Sequence, residues 1–105
     1  IAKEVRSILL SDLSQNHTAR ELAERFQIGE TSLKNYFRGV FGENLSTWLR
    51  EARMRRAAEL LRDTNLRVAE IAEQVGYENQ SKFAAVFVKE YGCPPLEYRR
   101  RARLD

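Results

Sequence analysis

The chain has 105 residues, of which 43% are hydrophobic and 31% charged, with a formal net charge of +3 at neutral pH. That length supports one domain or two small subdomains. No apolar run approaches the roughly 20 residues that cross a bilayer, and no signal peptide is expected. The lone Cys93 excludes an internal disulfide and fits a reducing cytoplasm.

Residues 1–13 carry Val5, Ile8 and Leu9 at helical spacing and predict a first helix. Residues 14–17 form a polar connector ending at His17. Thr18 followed three residues later by Glu21 is a capping box, so a second helix is expected over 19–26. Residues 27–30 make a turn in which Gly29 supplies the flexible position. A third helix over 31–41 is expected to bury Leu33, Tyr36 or Phe37, Val40 and Phe41, and Gly42 closes it. Its other face offers Thr31, Ser32, Lys34, Asn35 and Arg38.

Asn44 or Ser46 caps a long helix running to about residue 62, with Leu45, Trp48, Leu49 and Ala52, then Ala57, Leu60 and Leu61, as its apolar stripe. Its arginines Arg50, Arg53, Arg55 and Arg56 are expected to pair with Glu51 and Glu59 or to face solvent. After a turn at 63–65, Val68, Ile71, Ala72 and Val75 mark a fifth helix ended by Gly76. Asn79 caps a sixth, which buries Phe83, Val86, Phe87 and Tyr91 and opens on the polar run Gln80-Ser81-Lys82, followed by Ala84 and Ala85. Pro94 and Pro95 begin a short final helix carrying Leu96 and Tyr98. The basic tail from Arg99 to Arg103 is expected to fray, and Cys93 to be incidental in its turn. The expected fold class is therefore all-α with seven helices.

A short helix, a glycine-containing turn and a second helix make a helix-turn-helix candidate, and here the pattern occurs twice. Glu21, Leu22, Ala23, Glu24 and Phe26 match Glu70, Ile71, Ala72, Glu73 and Val75 at an offset of 49. Leu33, Phe37, Phe41 and Gly42 match Phe83, Phe87, Tyr91 and Gly92 at an offset of 50, as Trp48 does Tyr98. Core packing explains the apolar matches but not the recurrence of two glutamates in register. The chain thus reads as two copies of one helical unit. The first subdomain is placed at 1–43, the linker helix at 44–62 and the second subdomain at 63–105. No methionine precedes Ile1, and the chain reads as a piece of something longer.

Glu70-Ile71-Ala72, Val75-Gly76-Tyr77, Phe83, Phe87, Lys89, Tyr91-Gly92, Pro95 and Tyr98-Arg99 resemble the DNA-binding domain of the AraC/XylS family of bacterial transcription regulators. Leu22-Ala23, Leu33, Phe37, Gly42, Arg53-Met54, Ala57 and Leu60-Leu61 extend the resemblance upstream. It implies two helix-turn-helix subdomains joined by a long helix, whose third and sixth helices enter successive major grooves of double-stranded DNA. By position it implies base contacts from Thr31, Lys34 and Asn35 and from Gln80, Ser81 and Lys82. Phosphate contacts are expected from Arg38, Asn79 and Thr18. It also implies an effector or dimerisation domain outside this fragment, and contact with RNA polymerase.

Side-chain chemistry agrees with the resemblance. Lysine donates to guanine O6 and N7, and asparagine pairs with adenine N6 and N7. Two alanines can do no more than touch a thymine methyl, so the first unit should carry more of the specificity. Glu30, at the start of the first recognition helix, either caps it or accepts from a cytosine amino group. The first 52 residues carry seven cationic and seven acidic side chains, so the whole positive excess lies in the second half. A balanced first half leaves room for a rival reading, a helical protein-interaction module that has lost DNA binding. Nothing points to catalysis, to a cofactor or to a metal: there is one histidine, and no phosphate loop or metal-ligand spacing.

Overall fold

The computed structural model describes residues 1–104. Among these residues there are seven α-helices and no strand, as expected: α1 (Ala2–Ser11), α2 (Ala19–Arg25), α3 (Glu30–Phe41), α4 (Leu45–Asp63), α5 (Val68–Gln74), α6 (Gln80–Tyr91) and α7 (Pro95–Leu104). They form two compact units, Ile1–Arg50 and Glu51–Asp105, divided within α4.

In unit 1 the helical stripes of α1, α2 and α3 converge on one core, with Val5, Leu9, Leu22, Leu33 and Phe37 all buried. The Thr18 hydroxyl accepts from the Glu21 backbone N–H at 3.1 Å, satisfying one of the orphan donors that open α2. The helix ends in a Schellman turn: the Gln27 N–H donates to the Glu24 carbonyl and the Ile28 N–H to the Ala23 carbonyl, both at 3.1 Å. The left-handed residue in this turn is Gln27, at φ 56°. Gly29 has an ordinary φ of −71° and serves as the N-cap of α3, which corrects the expectation that it supplied the flexible position.

Unit 2 repeats the turn with different residues. Gly76 at φ 89° stands where Gln27 does, and Gly76 and Tyr77 donate to the Glu73 and Ala72 carbonyls at 3.1 and 2.9 Å. Upstream, the Glu70 carboxylate accepts from the Arg67 backbone N–H at 3.0 Å, closing the start of α5, and that bond holds the carboxyl below its ordinary titration range. In unit 1 the cap Gly29 follows Ile28 directly, whereas Glu78 intervenes between Tyr77 and the cap Asn79. Glu78 is thus the inserted residue behind the change of offset from 49 to 50.

The comparison of turns makes a prediction. A non-glycine side chain at left-handed φ costs about 1–2 kcal/mol, part of which glycine gives back through its freer unfolded chain. Gln27→Gly should therefore stabilise the protein by about 0.5–1 kcal/mol, read as a higher urea midpoint. An unchanged or lower midpoint would mean that Gln27 makes contacts outweighing its backbone strain.

The repeat extends into the cores. Phe37 lies 4.7 Å from Phe41 and 5.4 Å from Trp48, the latter edge-on. Phe87 lies 4.7 Å from Tyr91 and 5.4 Å from Tyr98, again edge-on. Gly42 and Gly92 close the two recognition helices at the same φ of 78°. Trp48 and Tyr98 thus pack, partly buried, against the cores of their units. Tyr36 and Val40 are not: they are 50% and 55% exposed, and Phe37 takes the buried position. Helical geometry leaves room for only one stripe, and Leu33 with Phe37 fills it.

Asn44 caps α4, its side-chain oxygen accepting from the Thr47 N–H at 2.9 Å. Among the arginines of α4, Arg56 pairs with Glu59 at 3.0 Å. Arg53 is instead half-buried with its guanidinium over the Tyr77 ring, and burial lowers its pKa. The basic tail does not fray through Arg103, contrary to expectation, but continues α7 to Leu104. Arg99 donates to the Leu61 and Leu66 carbonyls at 2.9 and 2.6 Å. Arg103 reaches the Asn65 side chain at 3.0 Å and the Thr64 carbonyl. These arginines satisfy carbonyls that the C-terminus of α4 and the following turn leave open. Cys93, in the turn between α6 and α7, is a free and buried thiol.

Candidate nucleic-acid interface

α3 buries Leu33 and Phe37 on one side, which fixes what its other side presents. Thr31, Lys34, Asn35 and Arg38 recur at i, i+3, i+4 and i+7 and are all exposed. They line one wall of a cleft of about 570 Å³. His17 and Ala19, around the start of α2, and Asn44 and Ser46, at the start of α4, line its other sides. The structure therefore brings together the three predicted base-reading residues of unit 1 and Arg38. Nothing in the residue pattern marked His17, Asn44 and Ser46 as neighbours of that stripe, because they come from a connector and from the start of α4.

Glu30 is the first residue of α3, and its carboxylate lies 3.1 Å from the Lys34 ammonium. An acidic residue there suits the positive end of the helix dipole. The N-cap is Gly29, so Glu30 is not the cap; it pairs with Lys34. Both side chains are about half exposed, and such a pair is worth well under about 1 kcal/mol. It preorders the ammonium while leaving it easily exchanged for another acceptor.

In unit 2, Gln80, Ser81 and Lys82 occupy the exposed first turn of α6. The Asn79 side-chain oxygen accepts from the Lys82 N–H at 3.1 Å, which leaves the two amide hydrogens as donors. Thr18 is placed alike: its oxygen caps α2 and its hydroxyl hydrogen can still be donated. Where α3 presents Lys34, Asn35 and Arg38, α6 presents Ala84, Ala85 and Val88, the last 41% exposed. The two faces differ in chemistry: one donates and carries charge, the other is apolar beyond its first turn. Among the described residues no cluster of His, Cys, Asp and Glu could hold a metal ion, and no helix is long and apolar enough to cross a membrane.

A family model described as a helix-turn-helix domain matches residues 22–101. The C-terminal domain of AraT, a response regulator from Geobacillus stearothermophilus, is 34% identical with a TM-score of 0.90, over 95% of this chain and 84% of that one. This chain belongs to the AraC-type helix-turn-helix family. The AraC-type domain is also similar to the DNA-binding domain of AdpA, a global transcriptional factor solved in complex with a target DNA, at 25% identity and a TM-score of 0.91, covering 98% of this chain and 93% of that one. The HTH-type transcriptional activator RhaR of Yersinia pseudotuberculosis is 35% identical over 92% of the chain. The AraC-type domain spans 33% of that relative's length.

Proposed function

We propose that this AraC-type domain binds double-stranded DNA sequence-specifically within a cytoplasmic bacterial transcription regulator, with α3 and α6 as its recognition helices entering successive major grooves. The observation that carries this is the exposed stripe of Thr31, Lys34, Asn35 and Arg38 opposite the buried Leu33 and Phe37. Thr31, Lys34 and Asn35 read bases in one half-site; Gln80, Ser81 and Lys82 read the other. Arg38, Thr18 and Asn79 hold phosphates, the two caps through their remaining donors. The division into subdomains at 1–43 and 63–105 joined by residues 44–62 gives each recognition helix its own support. A further effector or dimerisation domain, and contact with RNA polymerase, belong to the full-length regulator.

Because α3 and α6 present different chemistry, the two half-sites should be unlike rather than palindromic. Apolar contact from Ala84 and Ala85 favours thymine methyls in the second half-site. Selection from random duplex DNA, with the winner's affinity measured at two salt concentrations, tests the reading. An enriched asymmetric site with salt-dependent affinity is expected. No enrichment and no salt-sensitive binding would favour a helical protein-interaction module instead.

On the selected site, Lys34→Ala should cost about 1–3 kcal/mol, confined to one base pair. Lys82→Ala should relax specificity less, because beyond its first turn α6 offers Ala84, Ala85 and Val88 where α3 offers Lys34, Asn35 and Arg38. Affinities for a panel of single-base variants of the site check this, and a larger specificity loss for Lys82→Ala would reverse the ranking.

A further inference from the structure

We propose that His17 grips a DNA backbone phosphate in the cleft beside α3, and that duplex binding there takes up a proton. This rests on the duplex-DNA reading above. The cleft has three sides: Lys34 and Arg38 stand on the α3 side, Asn44 and Ser46 at the start of α4, and half-buried His17 just ahead of α2. Thr31 and Asn35 share the α3 wall, so a strand whose base edges meet them runs its backbone past the other two. At about 570 Å³ the cleft admits a phosphodiester and its flanking sugars. The Asn44 side-chain oxygen is taken by the Thr47 N–H and the Ser46 hydroxyl, leaving its amide hydrogens to donate.

The charges around His17 set the direction of the proton coupling. From α3, Lys34 and Arg38 face the cleft, with Glu30 held against Lys34 at 3.1 Å. From the connector, the Asp12 carboxylate attracts the imidazole at longer range but is itself bound by the Ser14 N–H at 3.0 Å and the Ser14 hydroxyl. From α4 and α2 the lining residues are uncharged. A phosphate bound in the cleft favours the imidazolium, which donates from both ring nitrogens. Proton uptake and DNA binding therefore favour each other, and affinity rises as pH falls through the imidazole range. His17 is the only histidine in the chain, so no second imidazole confuses the signal.

The test measures the affinity of the domain for its selected duplex at about pH 8 and about pH 5.5, either side of the ordinary imidazole titration, each at two salt concentrations. The proteins compared are the wild type, His17→Gln and His17→Lys, with circular dichroism confirming equal helicity. The wild type should bind about three- to tenfold tighter at the acid pH, with a salt slope steeper by about one. His17→Gln should be flat with pH at the weaker value, and His17→Lys flat at the tighter one. A flat wild type, or a pH response unchanged in His17→Gln, would overturn the proposal. Absence of salt-sensitive duplex binding at either pH would overturn the DNA-binding reading itself.

Discussion

Phe87→Ala is expected to destabilise the protein by about 3–5 kcal/mol. Phe87 is fully buried, and three aromatic partners, Phe83, Tyr91 and Tyr98, surround its ring at 5.9, 4.7 and 5.4 Å. Truncation removes the transfer free energy of the ring and leaves a cavity that two tyrosines, each still partly exposed, cannot refill without drawing their hydroxyls inward. Phe87→Leu keeps most of the volume and should cost roughly 1–2 kcal/mol. Urea titrations followed by circular dichroism measure both. A loss below about 1 kcal/mol for the alanine variant would show that the site collapses freely and that the triad is not the anchor of its unit.

Arg99→Ala should cost about 2–4 kcal/mol, an unusually large loss for an arginine that is only half-buried. Its guanidinium bridges two carbonyls, of Leu61 in α4 and of Leu66 just before α5, so its loss leaves two acceptors in a part-buried seam. Burial lowers the pKa of Arg99, yet a guanidinium stays charged at any ordinary pH, so both bonds persist across the working range. Arg99→Lys cannot fork to both oxygens and should recover less than half of the stability. Arg100→Ala is the control: this side chain is exposed and only 4.0 Å from Glu97, so its removal should change stability by no more than about 0.5 kcal/mol. Equal effects at the two positions would remove the bridging role from Arg99.

Local chemistry was legible in the sequence; contacts between distant segments were not. Thr18 and Asn79 announced themselves as caps, because a side-chain oxygen before an apolar-periodic run has one useful geometry. The core phenylalanines were equally plain from spacing. Gly29 misled, since glycine draws attention to itself, although the register that set Gln27 opposite Gly76 already held the right answer. The arginine tail misled for another reason. The partners of Arg99 and Arg103 lie 33 to 41 residues away, most of them backbone carbonyls, and no residue type signals a backbone carbonyl. The interface was legible in the same proportion: the α3 stripe follows from period alone, whereas His17 and Asn44 join it only through the fold.

The matched aromatic triads, Phe37 with Phe41 and Trp48 and Phe87 with Tyr91 and Tyr98, differ at two of their three positions. The chain holds a single tryptophan, and it sits in the triad of unit 1, where unit 2 has Tyr98. Selectively excited indole emission therefore watches one copy of the duplicated fold and is blind to the other, whereas far-ultraviolet dichroism sums over both. Recorded on one denaturation series, the two signals give a direct reading of how far the halves of this duplication melt together, without a label or a mutation.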